Sequence, residues 1–275
     1  MNGIELRRAL RTGGPVFGTL VVSPSPRLPT ALTGAGLDFI FIDTEHIALD
    51  RAQLSWMCQV YRQMGMAPLV RIPEPSPTLA AMALDGGAVG IVAPYIEKPE
   101  QVTALAGAVK WRPLKGQRLE RLLNGEEIEP QLRRYLEQHN AHNILVVNIE
   151  SAPAVENLDA ILDVAGLDAV LIGPHDLSCS LGFPEQYDHP QFDKAVRNII
   201  SSARARRVGA GIHFWGDLQQ EVRWLKDGLN MLIHSGDITL FVEHLTRDLQ
   251  TLKHQAGITQ PSTVPRPHID GRVTV

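Results

Sequence analysis

The sequence predicts an α/β fold in which eight parallel strands close into a (β/α)8 or TIM barrel, within a single domain. Eight short apolar runs rich in Val, Ile and Leu recur along the 275 residues, and helix-like stretches separate them. Nearly all the runs are continuously apolar, as expected for strands buried on both faces of a parallel sheet. A chain of this length accommodates eight such units, and the doubly wound open sheet is the alternative fold.

The individual elements follow in order along the chain. The predicted strands are residues 16–22, 37–43, 67–72, 89–94, 143–150, 168–173, 208–214 and 230–236. An amphipathic helix is expected before the first strand. The later helix-like stretches are residues 28–36, 51–65, 78–87, 99–110, 152–162, 190–207 and 217–228.

Two connections are longer than one crossover helix requires, namely residues 95–142 and 174–207. Extra helical segments are therefore expected after strands four and six, near 118–139 and 175–182. Both connections follow the carboxyl end of a strand, and this end of a barrel carries the active site. The barrel domain is assigned to residues 1–256. Residues 257–275 mix Pro, Gly, Ser and Thr, which predicts a tail that is flexible or packed on a neighbouring subunit.

The composition narrows the class of partner. With 26 basic and 30 acidic side chains, the net charge of −4 gives no electrostatic footprint for nucleic acid or an anionic membrane. No apolar run near the start has the length of a signal peptide or a membrane span. Cys58 and Cys179 are too few for a disulfide framework, which favours a reducing, cytoplasmic setting and small-molecule substrates.

Ionisable and polar residues are concentrated where the predicted strands end. Because the carboxyl ends of barrel strands meet at one rim, these side chains are expected to converge, as an active site requires. The residues are Ser23, Asp43, Glu45, His46, Arg71, Glu150, Asp176, Ser235 and Asp237.

Glu150 and Asp176 follow strands five and six, which are neighbours in a barrel. Each alone is explained by a helix start, Glu150 as an acid near a helix N-terminus and Asp176 as an N-cap. Together their charges repel unless a cation lies between them. A ligand set made only of oxygen atoms selects a hard divalent ion such as Mg²⁺ or Mn²⁺.

His46 and Arg71 are the candidates for proton transfer and substrate binding. Histidine exchanges protons near neutral pH, and Asp43 or Glu45 would orient the ring; the alternative is a loop histidine bonded to nearby backbone. Arg71 ends an otherwise apolar strand. It would bind a carboxylate or an enolate oxygen, form a salt bridge to Asp43, or do both. His213 and His234 lie within predicted strands and are interpreted as packed residues.

Five segments together resemble the HpcH/HpaI family of class II pyruvate aldolases. They are FIFIDTEH, PLVRIP, ALDGGAVGIVAPYIE, VVNIES and LIGPHDLSCSLG, in this order, and the resemblance runs from about residue 15 to about residue 250. The resemblance implies a barrel that assembles as a homo-hexamer. It also implies a divalent metal cofactor (Mg, Mn or Co) and cleavage of 4-hydroxy-2-oxo acids into pyruvate and an aldehyde.

The same resemblance implies roles for individual residues. Glu150 and Asp176 would be the metal ligands, Arg71 would contact the 2-oxo acid and its enolate, and His46 would take part in the proton relay. Backbone N–H groups near His175 and Asp176 would hold the substrate carboxylate. Asp85, in the ALDGG segment, would approach His46 from a neighbouring subunit. Without the resemblance, Asp85 is interpreted as an acid at the end of a helix.

The chain departs from the family pattern at three places. Asn148 stands where Gln is usual, His175 stands where a small or amide side chain is usual, and residues 111–125 replace an Arg-Gly segment that helps to form the pocket. All three lie in segments expected near the substrate. The sequence therefore leaves the aldehyde partner open.

Other reactions fit parts of the pattern. A Schiff-base aldolase requires a lysine on the inner rim, but the six lysines, Lys98, Lys110, Lys115, Lys194, Lys226 and Lys253, fall in predicted helices or outer loops. Oxaloacetate decarboxylation or a carbon–carbon bond-forming synthase step would use the same site. A binding barrel without turnover is the alternative outside enzymes.

Overall fold

A computed structural model describes residues 1–258 of the chain and contains a closed barrel of eight parallel strands in sequential order. The strands are β1 (Val16–Leu20), β2 (Phe39–Asp43), β3 (Ala67–Arg71), β4 (Gly90–Ala93), β5 (Ile144–Ile149), β6 (Ala169–Ile172), β7 (Gly209–Phe214) and β8 (Met231–Gly236). Pairing of β1 with β8, which places Val16 beside Met231, closes the sheet. The (β/α)8 prediction is confirmed, and the open-sheet alternative is wrong.

The helices of the described residues surround this barrel. They are α1 (Gly3–Thr12), α2 (Leu28–Ala31), α3 (Arg51–Gln63), α4 (Pro77–Asp85), α5 (Pro99–Lys110), α6 (Gly116–Leu123), α7 (Pro130–His139), α8 (Ala152–Glu156), α9 (Leu158–Leu162), α10 (Pro174–Ser180), α11 (Pro190–Ala205), α12 (Leu218–Lys226) and α13 (Asp237–Gln255). The extra segments expected after strands four and six are α6, α7 and α10.

Two helical predictions need correction. The stretch 28–36 is helical only as α2, because Gly34 and Gly36 have φ of 88° and 83°, in the left-handed region that ends a helix. The stretch 152–162 forms two short helices, α8 and α9, that meet at Asn157. Neither change moves a predicted strand.

The apolar core has two parts, as the continuously apolar strands require. Side chains that point into the barrel form the inner cluster, with Phe39, Leu69, Val146 and Met231 among them. Alternate residues point outward and pack beneath the surrounding helices. Gly18 on β1 leaves room for Phe39, whose ring would lie 2.4 Å from an added β-carbon.

α13 differs from the other long helices because none of its side chains is buried. In a TIM barrel the last helix covers the seam between β8 and β1. Here the outward-facing Phe17 of β1 is 38% exposed, and His234 of β8 is only half-buried. The seam is therefore incompletely covered by residues 1–258.

The ends of the chain add two observations. No helix within residues 1–258 is both long and apolar enough to cross a membrane. The predicted tail of residues 257–275 lies, from residue 259 onward, outside the described residues.

Candidate active site

A small cavity lies at the carboxyl ends of the strands, where the sequence places the candidate residues. It contains side chains from β2, β3, β5, β6 and β7 and from the start of α10. The lining residues are Phe41, Arg71, Asn148, Leu171, Ile172, Gly173, Pro174, His175, Asp176 and His213. Four of the predicted site residues, Arg71, Asn148, His175 and Asp176, thus meet in one cavity.

Asp43 and Arg71 end the adjacent strands β2 and β3, and the parallel register places them side by side. Nε of Arg71 donates to Oδ1 of Asp43 over 2.8 Å, and Oδ1 also accepts from the backbone N–H of Glu45 over 3.0 Å. Oδ2 of Asp43 accepts from the backbone N–H of His46 over 3.1 Å. Asp43 therefore holds both the guanidinium and the loop that carries His46.

Arg71 is buried but remains charged. Burial acts to lower the pKa of Arg71, and the hydrogen bond to Asp43 with the nearby charges of Asp43, Glu45 and Glu150 outweighs it and raises that pKa above its ordinary value. The guanidinium lies 5.5 Å above the Phe41 ring. Its Nη2 atom is buried and has no hydrogen-bond partner among the described residues. Nη2 of the guanidinium is thus available to donate a hydrogen bond to a ligand.

His46 lies in the loop after β2, with its side chain 43% exposed. Its Nε2 is 3.6 Å from Oε1 of Glu45, whose other oxygen, Oε2, is 3.1 Å from Nε of Arg71. Asp43 contacts the backbone of His46, whereas the carboxylate beside the imidazole ring is that of Glu45. Glu45 thereby links the exposed imidazole to the buried guanidinium.

Glu150 directly follows β5 and is nearly buried. Its Oε1 accepts from the backbone N–H of Tyr95 over 2.7 Å, and its Oε2 accepts from Nδ2 of Asn148 over 2.8 Å. Burial raises the pKa of Glu150, these two hydrogen bonds oppose the rise, and the charges of Asp176 and Glu45 add to it. A cation beside this carboxylate would relieve the cost of its buried charge.

Asp176 is the third residue of α10 and points to the same place as Glu150. A β-carbon added at Gly173 would lie 3.0 Å from Oε2 of Glu150 and 3.8 Å from Oδ2 of Asp176. The absence of a side chain at Gly173 therefore leaves space between the two carboxylates. The buried Oδ1 of Asn148 has no hydrogen-bond partner among the described residues.

These oxygen atoms form a donor set that fits a hard divalent cation. Residues 1–258 contain no group of three or more His, Cys, Asp or Glu side chains arranged to hold a metal. Two carboxylates would leave further coordination positions for water and substrate, which is typical of a catalytic rather than a structural site. The donor set alone does not select among Mg, Mn and Co.

His175 and Asp85 occupy different regions. Nδ1 of His175 is buried without a hydrogen bond and lies 3.7 Å from a carboxylate oxygen of Glu185, at the edge of the cavity. Asp85 ends α4 and forms an ion pair with Arg112, and its side chain is 66% exposed. Asp85 does not contact His46 of its own chain.

Three other candidates at the rim, Ser23, Ser235 and Asp237, do not line the cavity. The carboxylate of Asp237 accepts from the backbone N–H groups of Val22 and Ser23, and so ties the end of β8 to the end of β1. Ser235 is buried, and its backbone carbonyl is bonded to His213. No lysine lines the cavity, and Lys110 is buried against Asp168 at the opposite end of the barrel.

Sequence reasoning missed the contribution of Tyr95. This residue follows β4 with φ of 55°, its backbone N–H binds Glu150, and its hydroxyl hydrogen-bonds Glu45. That hydrogen bond, with burial and the nearby carboxylates, raises the pKa of Tyr95 to about 12. The only signal was its position directly after the predicted strand 89–94, and a tyrosine at such a position does not by itself indicate a functional residue.

Comparison with known proteins places this arrangement among related enzymes. The model of the family described as HpcH/HpaI aldolase/citrate lyase matches residues 17–243. A 2-keto-3-deoxy-L-rhamnonate aldolase of Salmonella gallinarum is 31% identical over 258 residues, covering 92% of this chain and 94% of the relative.

Solved structures give the same result. The HpcH/HpaI aldolase from Desulfitobacterium hafniense DCB-2 is similar with a TM-score of 0.80 at 26% identity, covering 93% of this chain and 99% of the other. The citrate synthase SbnG is similar with a TM-score of 0.78 at 27% identity, covering 92% of this chain and 98% of the other. An aldolase and a citrate synthase are thus both represented among the similar structures.

Proposed function

The chain belongs to the HpcH/HpaI aldolase/citrate lyase family, and from this we propose the reaction of its site. The enzyme is a divalent-metal-dependent aldolase that cleaves, and in reverse forms, 4-hydroxy-2-oxo acids, with pyruvate and an aldehyde as products. The observation that carries the proposal is the convergence of Glu150 and Asp176 at Gly173, in the cavity that also contains the unpartnered donor of Arg71.

Glu150 and Asp176 would hold the metal. A divalent ion bound there supplies a Lewis acid, which stabilises the negative charge that carbon–carbon cleavage leaves on the enolate. Asn148 keeps Glu150 in position through its hydrogen bond to Oε2. The replacement of the family's Gln by the shorter Asn148 therefore changes the support of a ligand.

Arg71 and the start of α10 would bind the 2-oxo acid. The free Nη2 of Arg71 donates to the oxygen of C2, while its Nε remains fixed by Asp43. In the first turn of α10, Pro174 lacks an N–H, and Leu177 donates to Gly173. The N–H groups of His175 and Asp176 are the ones that remain for the substrate carboxylate.

His46 would transfer the proton of the substrate's 4-hydroxyl group. Its ring is exposed enough to reach a bound ligand, and Oε1 of Glu45 lies 3.6 Å from its Nε2. In the synthetic direction the same proton returns to the new hydroxyl oxygen.

The test is a coupled assay of pyruvate release across a panel of 4-hydroxy-2-oxo acids that includes 2-keto-3-deoxy-L-rhamnonate. Each assay is run after treatment with EDTA and after addition of Mg²⁺, Mn²⁺ or Co²⁺. We expect turnover to disappear with EDTA and to return with at least one metal. Turnover that EDTA leaves intact would contradict the metal-dependent mechanism.

A synthase or decarboxylase reaction at the same site is the second candidate, and the similarity to citrate synthase SbnG favours it. Both reactions pass through an enolate of a 2-oxo acid or a related carboxylate, so they would use the same residues. Product analysis with oxaloacetate distinguishes them. Pyruvate and carbon dioxide as the main products, without cleavage of any hydroxy-oxo acid, would favour this candidate over the aldolase.

We further propose that the enzyme is a homo-oligomer, with the hexamer of the family resemblance as the expected state. Support comes from a cleft of about 490 Å³ between α3 and α4. Its lining includes Thr44, two residues from His46, and the exposed Asp85. If two copies pack around a two-fold axis over this cleft, Asp85 of each reaches the rim of the other.

Subunit mixing tests that arrangement. Asp85→Asn and His46→Ala subunits should each have low kcat, and hybrids should recover some sites in which both native residues meet. Verified subunit exchange without recovery would show that Asp85 acts within one chain or has no role in the reaction.

α13 supports a second contact between copies. Its exposed apolar residues Phe241, Leu245, Leu249 and Leu252 recur at helical spacing and form one stripe. The incompletely covered seam between β8 and β1 is the place where a barrel normally receives such a stripe. We therefore assign α13 of a second copy to this seam.

Light scattering of Phe241→Glu together with Leu249→Glu checks this assignment. The double variant should dissociate into smaller species, whereas Glu137→Gln on α7 should not change the molar mass. An unchanged oligomer in the double variant would place the contact elsewhere.

A cytoplasmic location fits the cysteines. Cys58 and Cys179 are both free thiols, and burial raises the pKa of Cys58 to about 12. Neither side chain depends on oxidation for its place in the fold. Cell fractionation tests this location.

A further inference from the structure

Tyr95 is an exposed aromatic residue at the mouth of the barrel, and the proposed mechanism gives it no role. It lies two residues beyond β4, is 55% exposed and has a φ of 55°, in the left-handed region. A residue with a β-carbon adopts this conformation at a cost in free energy, so surrounding contacts have to hold it there. Such a conformation at a candidate active site points to a function for the residue.

The side chain of Gln101, on α5, holds the turn that contains Tyr95. Its Nε2 donates to the backbone oxygen of Tyr95 over 2.9 Å, and its Oε1 accepts from the backbone N–H groups of Glu97 over 2.9 Å and Lys98 over 3.0 Å. The carboxylate of Glu97 accepts from the hydroxyl group of Ser151, just before α8, over 2.7 Å. These contacts all lie within the chain, so Tyr95 keeps its place without a ligand.

From this turn Tyr95 contacts two carboxylates. Its backbone N–H donates to Oε1 of Glu150 over 2.7 Å, and its hydroxyl group hydrogen-bonds the side chain of Glu45. Glu45 follows β2, and β3 lies between β2 and β4 in the sheet, so the second contact spans the carboxyl end of β3. Tyr95 therefore ties the loop after β2 to the loop after β4 across the mouth.

Glu45 connects this tie to the reacting groups. Its side chain is 8% exposed, its Oε1 lies 3.6 Å from Nε2 of His46, and its Oε2 lies 3.1 Å from Nε of Arg71. Arg71 is also held by Asp43 over 2.8 Å. No other carboxylate among residues 1–258 lies within 4 Å of a ring nitrogen of His46. A displaced Glu45 would therefore disturb His46 more than Arg71.

We infer that Tyr95 is a positioning residue, whose hydroxyl group holds the carboxylate of Glu45 beside His46 and so acts on proton transfer rather than on binding of the 2-oxo acid. The inference rests on the proposed aldolase function, in which His46 transfers the proton. A tyrosine hydroxyl donates a single hydrogen bond, and a carboxylate acceptor makes that bond stronger than one between neutral groups. Removal of the hydroxyl group therefore frees Glu45 to move.

The first experiment is Tyr95→Phe, which removes the hydroxyl group and keeps the ring. We expect kcat for pyruvate release to fall roughly 10-fold and KM for the 2-oxo acid to change less than about twofold, because Asp43 still holds Arg71. Tyr135→Phe, at an exposed tyrosine on α7, is the matched control and should change neither constant. A higher KM with an unchanged kcat, or no change in either constant, would overturn the inference.

A double-mutant cycle with Glu45→Ala separates action through Glu45 from direct contact with the substrate. If Tyr95 acts through Glu45, Tyr95→Phe should lower kcat by less than about twofold once the carboxylate of Glu45 is absent. An equal loss of kcat with and without Glu45 would show that Tyr95 acts by another route, and the inference would be wrong.

Hydrogen exchange keeps the test independent of turnover. The backbone N–H groups of Glu45 and His46 are bonded to Asp43. They should exchange roughly threefold faster or more in Tyr95→Phe, because the loop has lost its side-chain tie, and at the natural rate in Tyr135→Phe. Unchanged exchange in Tyr95→Phe overturns the inference whether or not the enzyme is active. If no 4-hydroxy-2-oxo acid is cleaved, the aldolase proposal fails, and faster exchange still supports the hold of Tyr95 on Glu45.

Discussion

The two ends of the barrel contain similar charged side chains in opposite states of pairing. At the base, the buried Asp168 accepts from Nε of Arg7 over 2.8 Å, from the backbone of Leu145 over 3.0 Å and from Lys110. At the mouth, no cationic group among the described residues lies within hydrogen-bond distance of Glu150 or Asp176, and Nη2 of Arg71 has no partner among them. The paired charges at the base stabilise the fold, whereas the carboxylates of Glu150 and Asp176 at the mouth are free to bind a cation.

The first and largest effect is expected at the mouth. Glu150→Gln keeps the size of the side chain and an oxygen for Tyr95 but removes the charge that would hold the cation. Loss of several kcal/mol of enolate stabilisation corresponds to a decrease in kcat of roughly 10³-fold. The melting temperature should stay the same or rise, because the variant lacks a carboxyl group whose pKa is raised by burial. Steady-state kinetics and calorimetry check both results; a large drop in melting temperature would make Glu150 a structural residue.

At the base of the barrel, a substitution is expected to lower stability and to leave activity nearly unchanged. Asp168→Asn leaves Lys110 and Arg7 without their counter-charge, and breaking a buried ion pair costs about 3–5 kcal/mol. Urea denaturation should therefore detect a lower free energy of unfolding, while kcat of the folded protein stays near that of the natural chain. Reduced kcat at full stability would contradict the division between the two ends.

A smaller effect on the reaction is expected for His46. Replacement by Ala removes a positioned acid and base, which lowers kcat by roughly 10²-fold, with little change in KM for the 2-oxo acid. His139→Ala at the end of α7 is the control. If kcat is unchanged, His46 is a loop residue bonded through its backbone to Asp43.

The fourth prediction concerns pH. Burial lowers the pKa of His213 to about 4 in the folded chain against 6.5 for the free side chain, so between these values the unfolded chain binds more protons. The contribution of His213 to stability is therefore present above pH 6.5 and falls as the pH decreases towards 4. His213→Leu should show a shallower loss of unfolding free energy over that range. Identical pH profiles would mean that His213 is not held neutral.

The sequence predicted the barrel well, because strands buried on both faces produce unbroken apolar runs. The run 143–150, for example, corresponds to β5 (Ile144–Ile149). The same logic placed Asp43, Arg71 and Glu150 at one rim. Contacts made by loops were not predictable, since Tyr95 reaches Glu45 and Glu150 only through a backbone turn fixed by tertiary packing.

His213 illustrates a different limit. The apolar run predicted that His213 lies in a strand, and the structure confirms this. The run could not show whether His213 lies within the barrel core or in the cavity above it, because both positions have the same local sequence pattern. Only the closed arrangement of β7, β8 and β2 brings the ring beside Phe41 and Ser235. Its surroundings depend on residues far away in the chain.

The pairing of β1 with β8 has a consequence for how the protein is made. Val16 pairs with Met231, so the first strand acquires its second neighbour only after more than 200 residues have been added. Until then a nascent chain exposes open strand edges, which are sites for pairing with other chains. Contacts between residues so distant in sequence also slow folding. Chains that stop before β8 should therefore accumulate as aggregates during synthesis, whereas chains that stop after α13 should fold.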